Sequence, residues 1–308
     1  MLHFKIIQHY MPWEIDYMLL SFSQLKKSKY YLPKDIKVTI EVDLNLSSYI
    51  INWDKSKLPK EFFINKAKQL SYLLKDYEYT LKVYDGNELY GGLDAVKKNI
   101  SVDTDFYISI CPDMYFSETL LSYITQFALK VPNKYFIITP QISKLWDYTW
   151  DEITNPLYQD IPYEGWNEAD IFDIRYNNKI STEEISLYPT IRSKWAGWCD
   201  LYNKAFYEEL CPMQKEWKGY GPWDWYSMML TEYVKTKNID FQQYLLKGET
   251  IFEYSVGPLK DGGFSKYYKD LLTLNDIPNQ RQEFEKNMKS YLDIGLEHLR
   301  AQKILLDS

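Results

Sequence analysis

The spacing of apolar positions changes repeatedly along the chain, and each change marks an element. Residues 4–10 form a short apolar run closed by Met11 and Pro12, which predicts a strand. Ile15, Met18, Leu19, Phe22 and Leu25 then recur at helical spacing and predict a helix over about 13–27. Residues 37–42 alternate polar and apolar as a second strand, closed by Asp43, Leu44 and Asn45. Phe63, Ala67, Leu70 and Leu74 share one helical face, predicting a helix over 60–74. A third strand over 79–84 ends in Asp85-Gly86-Asn87, and a short helix follows Gly91-Gly92 as far as Val96. A fourth strand occupies 106–110 and a fifth 135–139. Between them Ser117 can cap a helix running to about Leu129, since its hydroxyl can accept an otherwise unsatisfied amide.

Such alternation predicts an α/β fold with a mostly parallel central sheet covered by helices on both faces. The rhythm breaks over 141–192, which reads as an insertion of short strands and loops rich in Trp, Tyr and acidic residues. Order resumes over 197–206, with a helix expected over 227–234 and short strands over 241–246 and 251–256. Residues 280–306 predict a long amphipathic C-terminal helix, weakened by Gly295. The expected organisation is one unit over 1–240, with a donor half (1–140) and an acceptor half (141–240). A C-terminal appendage over 241–308, strands followed by the long helix, packs on it.

Ligands of open parallel sheets bind beyond the carboxyl ends of the strands. Those ends carry Tyr10 and Pro12, then Asp43, Asp85, and Cys111-Pro112-Asp113. Carboxylates there can hold ribose hydroxyls, a base edge, or a divalent metal beneath a diphosphate. Asp is also an ordinary turn residue, so each one singly reads as a turn, and the set together reads as a site.

Composition narrows the choice. The chain has 308 residues, 45% of them hydrophobic, enough for a sizeable core. A net charge of −7 disfavours nucleic acid as a general partner. Three cysteines without metal-like spacing argue against a disulfide scaffold and fit a reducing compartment. No apolar run reaches the roughly 18 residues that span a bilayer, so a cytoplasmic location is expected. Neither a Gly-x-Ser-x-Gly elbow nor a phosphate-binding Gly-rich loop occurs.

Four segments carry a family resemblance: the opening Gln8-His9-Tyr10-Met11-Pro12-Trp13-Glu14, the second strand ending at Asp43, Gly92-Leu93-Asp94-Ala95-Val96-Lys97-Lys98-Asn99, and 105–116 with Cys111-Pro112-Asp113. Together they resemble family-2-like glycosyltransferases with the GT-A, Rossmann-like, nucleotide-binding fold. A literal Asp-x-Asp, Asp103-Thr104-Asp105, precedes the fourth strand at the edge away from the ligand and reads as a solvated turn. The slot that resembles the family's metal motif follows the strand, and of its carboxylates Asp113 remains. Two later segments, Gly197-Trp198-Cys199-Asp200-Leu201-Tyr202 and Gly219-Tyr220-Gly221-Pro222-Trp223-Asp224-Trp225-Tyr226, are similar to the acceptor side of the family.

The resemblance implies a hexosyl- or related transferase that moves a sugar from a nucleotide-sugar donor, a UDP-sugar, to a saccharide or other hydroxyl acceptor with inversion. Tyr10, Pro12, Asp43, Asp85, Lys98 and Asp113 would contact the donor. Asp113 would hold Mn²⁺ or Mg²⁺. Asp224 would take the acceptor proton as general base, although its position before 227–234 also suits a helix cap. Trp198, Trp223 and Trp225 would line the acceptor, their indole faces suiting sugar stacking, and core packing is the rival role. Two other readings stay open: a non-catalytic carbohydrate- or nucleotide-binding relative, and a transferase whose acceptor is a modified DNA base.

Overall fold

The computed structural model describes residues 1–15, 17–46, 58–85, 101–144, 184–190, 199–210 and 240–253. Nine strands among them join in one sheet: β1 (Leu2–Tyr10), β2 (Ile36–Asn45), β3 (Glu78–Tyr84), β4 (Phe106–Ile110), β5 (Met114–Tyr115), β6 (Tyr135–Lys144), β7 (Ser186–Thr190), β8 (Cys199–Asn203) and β9 (Phe241–Glu253). Their order is β3-β2-β1-β4-β8-β6-β9-β5, with β7 also on β9. The β3, β2, β1 and β4 strands run parallel, as do β6 and β9. Strand β8 runs antiparallel between β4 and β6. The sheet is therefore mixed and mostly parallel, and it puts the carboxyl ends of β1 to β4 on one edge.

Among the described residues three α-helices accompany it: α1 (Tyr17–Ser28), α2 (Lys60–Leu70) and α3 (Leu120–Ala128). Met18, Phe22 and Leu25 give α1 one apolar stripe, at spacings of four and three residues. All three helices contribute to a single apolar cluster with one set of alternate strand residues, among them Ile6, Ile40, Val42, Ile108 and Ile138. Each large side chain fully buried there contributes roughly 1.5–3 kcal/mol. The helices α1, α2 and α3 thus lie on one sheet face, and a short helical segment, Phe206–Leu210, sets Phe206 against Tyr202 and Phe241 on the other.

The other face is mixed, with Ile7, Tyr107, Ile137 and Tyr202 buried on it beside polar groups. It carries His9 of β1, Thr39, Glu41 and Asp43 of β2, Ser109 of β4, Asp200 of β8 and Thr139 of β6, all of them buried. Parallel strands are usually apolar on both sides, whereas the strict alternation in β2 gives that strand a wholly polar row on this face.

Several boundaries differ from the sequence expectation. Strand β2 continues through Asn45, because Asp43 and Asn45 still find register partners in Lys82 and Tyr84. The two short strands expected over 241–246 and 251–256 are one strand, β9, bent at a bulge. That strand lies inside the sheet, between β6 on one edge and β7 and β5 on the other. The segment beginning at Cys199 is a central strand. The long helix expected over 280–306 lies outside the described residues, as does the helix over 227–234.

Candidate functional site

The chain leaves β1 through a tight turn over Pro12–Glu14. Pro12 is buried and its fixed φ suits the first position of such a turn. Glu14 closes the turn twice: its N–H donates to the Met11 carbonyl at 3.0 Å, and its carboxylate accepts the Met11 N–H at 2.7 Å. The chain leaves β4 through a second turn, in which Met114 N–H donates to the Cys111 carbonyl at 3.2 Å. Pro112 and Asp113 occupy its two middle positions, the places where a pre-set φ and a short polar side chain fit best.

These two turns meet electrostatically. The Glu14 carboxyl is pushed up to about 8, by burial first and then by the charge of Asp113, with the Met11 N–H opposing. Glu14 as a residue keeps part of its surface in solvent, but its carboxylate is tightly enclosed, and the enclosure governs its ionisation. Tyr10, the last residue of β1, feels both of their charges. Its ring is wholly buried, edge-on to Phe22 with centroids 6.0 Å apart, and its hydroxyl donates to Gln8 Oε1 at 3.1 Å. Burial pushes that hydroxyl's ionisation upward, and the charges of Glu14 and Asp113 push the same way. Tyr10 thus feels the charge of Asp113, but it belongs to the core and does not offer a stacking face. Glu14 is the acidic residue that the sequence reading did not single out, although the turn residue three places after Met11 is where a capping carboxylate sits.

Asp43 lies within β2, one row below the edge and 3% exposed. The parallel register sets it between His9 on β1 and Lys82 on β3. Lys82 Nζ reaches Glu41 Oε1 at 3.0 Å. Asp85, just beyond β3, is mostly exposed and pairs loosely with Lys60 at 3.4 Å, a contact of the kind that contributes little. Strand β2, which carries Asp43, lies two strand spacings from β4, about 10 Å, and β3 lies three, about 14 Å.

No protein-family model and no curated protein matches the chain. Among solved structures it is similar to GalNAc-T7 with UDP, GalNAc and Mn²⁺, at 10% identity and a TM-score of 0.49, over 82% of this chain and 44% of that one. It is also similar to residues 1–349 of S. aureus TarS, at 10% identity and a TM-score of 0.46, over 97% of this chain and 72% of that one. The same TarS segment in complex with UDP-GlcNAc gives 10% identity and a TM-score of 0.42, over 98% of this chain and 73% of that one. The chain spans less than half the length of the GalNAc-T7 chain.

The literal Asp-x-Asp sits at the opposite, amino-terminal edge of the sheet and is part of the framework. Asp105 accepts the His3 N–H at 2.9 Å and returns its own N–H to the His3 carbonyl at 2.9 Å. The His3 ring bridges the Asp103 carbonyl at 3.0 Å and Thr39 Oγ1 at 2.8 Å. The Asp103 side chain is 72% exposed, as a solvated turn requires.

Among the described residues no group of three or more His, Cys, Asp or Glu could hold a metal ion. Glu14 and Asp113 supply hard oxygen donors of the kind Mg²⁺ and Mn²⁺ prefer. The remaining positions would fall to water and to a ligand's phosphates. Cys199 is wholly buried and its thiol is pushed well upward, by burial and then by Asp200, so it is an inert core group. No helix among the described residues is long and apolar enough to cross a membrane. Lys98, Asp224, Trp198, Trp223 and Trp225 lie outside the described residues. Strand β8, which Trp198 directly precedes, begins opposite Ile110 at the carboxyl end of β4.

Proposed function

We propose that this chain is a glycosyltransferase of the GT-A type, transferring a sugar from a UDP-sugar to an acceptor hydroxyl with inversion. The observation that carries the reading is the pairing of two carboxylates, Glu14 with its raised ionisation and Asp113, whose charge helps raise it, at the exits of two adjacent parallel strands. A perturbed carboxyl at a sheet's ligand edge is a mark of functional sites. Asp43, on the strand two spacings from β4, would take the nucleoside, and Asp113 would face the diphosphate. A divalent metal bound there, with Asp113 and Glu14 as protein donors, would offset the charge of the leaving diphosphate. Asp85 and Lys98 would complete the donor side.

In the transfer itself the acceptor oxygen bonds to the anomeric carbon as the bond from that carbon to the diphosphate oxygen breaks. Asp224 takes the acceptor proton. The roles of Asp224 as base and of Trp198, Trp223 and Trp225 as acceptor contacts come from the sequence resemblance. The unit over 1–240 would divide into donor and acceptor halves.

Calorimetric titration with uridine diphosphate, with Mn²⁺ and with chelator, tests the reading on the wild type and Asp113→Ala. The expected result is metal-dependent binding that weakens by tenfold or more in the variant. Absence of binding by any nucleoside diphosphate to the folded wild type overturns the donor site.

A further inference from the structure

Glu249 is a buried acid that the proposed transfer does not use. It is 5% exposed and lies at the bulge of β9. Its carboxylate accepts two hydroxyls across a long sequence distance: Ser117 Oγ at 2.5 Å and Thr119 Oγ1 at 2.7 Å. Ser117 Oγ also accepts the Leu120 N–H at 3.0 Å, so the same contact fixes the start of α3.

The bulge is a joint. Residues Phe241 to Leu246 pair with Tyr135 to Leu246's partner Pro140 on β6, after which the register shifts and Thr250 pairs with Gln141. Gly248 turns the chain there with a φ of 84°, a left-handed value that favours glycine, and its N–H donates to Gln141 Oε1 at 3.3 Å. Before the joint β9 holds β7, and beyond it β9 holds β5, through Met114 opposite Glu253 and Tyr115 opposite Phe252.

Strand β5 emerges directly from the turn that carries Asp113. Beyond β5, Phe116 N–H donates to Gln24 Oε1 at 2.9 Å, and Ser117 reaches Glu249. The chain from Cys111 to Ser117 therefore hangs between the end of β4 and this anchor, with Asp113 in the span.

We infer that Glu249 is a positioning residue for Asp113: it ties the bulge of β9 to the start of α3 and so fixes β5 and the Cys111–Met114 turn. The inference rests on the reading of Asp113 as the carboxylate facing the diphosphate. Its consequence for binding is that metal-dependent affinity should depend on a carboxylate that touches neither metal nor nucleotide.

The test uses the full chain and the variants Glu249→Ala, Glu249→Gln and Thr119→Val, with uridine diphosphate as probe. Amide hydrogen exchange at Met114 and Tyr115 is read against Ile6 and Ile7 of β1. In Glu249→Ala, exchange at Met114 and Tyr115 should rise about tenfold, as expected from losing two hydrogen bonds to a charged acceptor, while β1 stays unchanged. The gain in affinity that Mn²⁺ gives should shrink, with affinity in chelator unaltered. Glu249→Gln keeps an acceptor oxygen and should restore most of both readouts, and Thr119→Val, the milder change, should fall between. Unchanged exchange at Met114 in Glu249→Ala and Thr119→Val overturns the inference, as does an equal rise in β1. If the wild type binds no uridine diphosphate but exchange at β5 responds as described, the donor-site reading falls and the anchoring of the turn stands.

Discussion

Glu14 brings a titration into the neutral range. In the folded chain its carboxyl ionises at about 8, against 4.5 as the ordinary value. Between those values the folded chain holds a proton that the unfolded chain has released, so stability falls as pH rises through the window. Glu14→Gln keeps an acceptor for the Met11 N–H and removes the ionisation. Its stability relative to wild type should therefore improve by on the order of 2 kcal/mol between pH 5 and pH 8, measured by urea unfolding in chelator. A divalent cation beside Asp113 would favour the ionised form, so Mn²⁺ should narrow the difference. No dependence on pH would mean that the Glu14 carboxylate is well hydrated.

At the scale of elements, hydroxyl and carboxylate contacts fix the ends of helices and turns. Ser117→Ala removes the acceptor for Leu120 N–H and should cost about 1 kcal/mol. Asp105→Ala removes the acceptor for His3 N–H and should cost 1–2 kcal/mol or so, while leaving uridine diphosphate affinity within about twofold. A large loss of affinity in Asp105→Ala would reassign the literal Asp-x-Asp to the site. Such contacts also divide what the sequence disclosed from what it did not. The strand over 106–110 and the capping role of Ser117 were legible, because each depends on a few neighbouring residues. The extent of β2 was not, since Asp43 and Asn45 look like turn residues until His9, Lys82 and Tyr84 are set beside them. Glu14 was hidden for the same reason: its enclosure and its coupling to Asp113 join segments about a hundred residues apart in sequence. The single strand β9 was hidden by Gly248, which reads as a break and is a bulge.

For the molecule as a whole, stability is concentrated where the helical layer meets the middle of the sheet. Ile108, at 0% exposure on central β4, should cost about 2–5 kcal/mol when replaced by Ala, read as a shift in urea midpoint. Asp43→Asn should have a different profile, with weaker uridine diphosphate binding and a small change in midpoint, if its place beside His9 serves the nucleoside. The mostly parallel sheet was foreseeable from the alternation of strand and helix. The antiparallel insertion of β8 was not, because its partners β4 and β6 end at Ile110 and Lys144, long before it begins at Cys199. The placement of β9 sets an order on synthesis. Its pairing with β6 spans ten register positions, and it is made some hundred residues after β6 leaves the ribosome. Until then the far side of β6 is an open edge, a template for pairing with another chain. A nascent chain halted at residue 240 would therefore be the sticky form of this protein, and cells making it should depend on chaperones until β9 arrives.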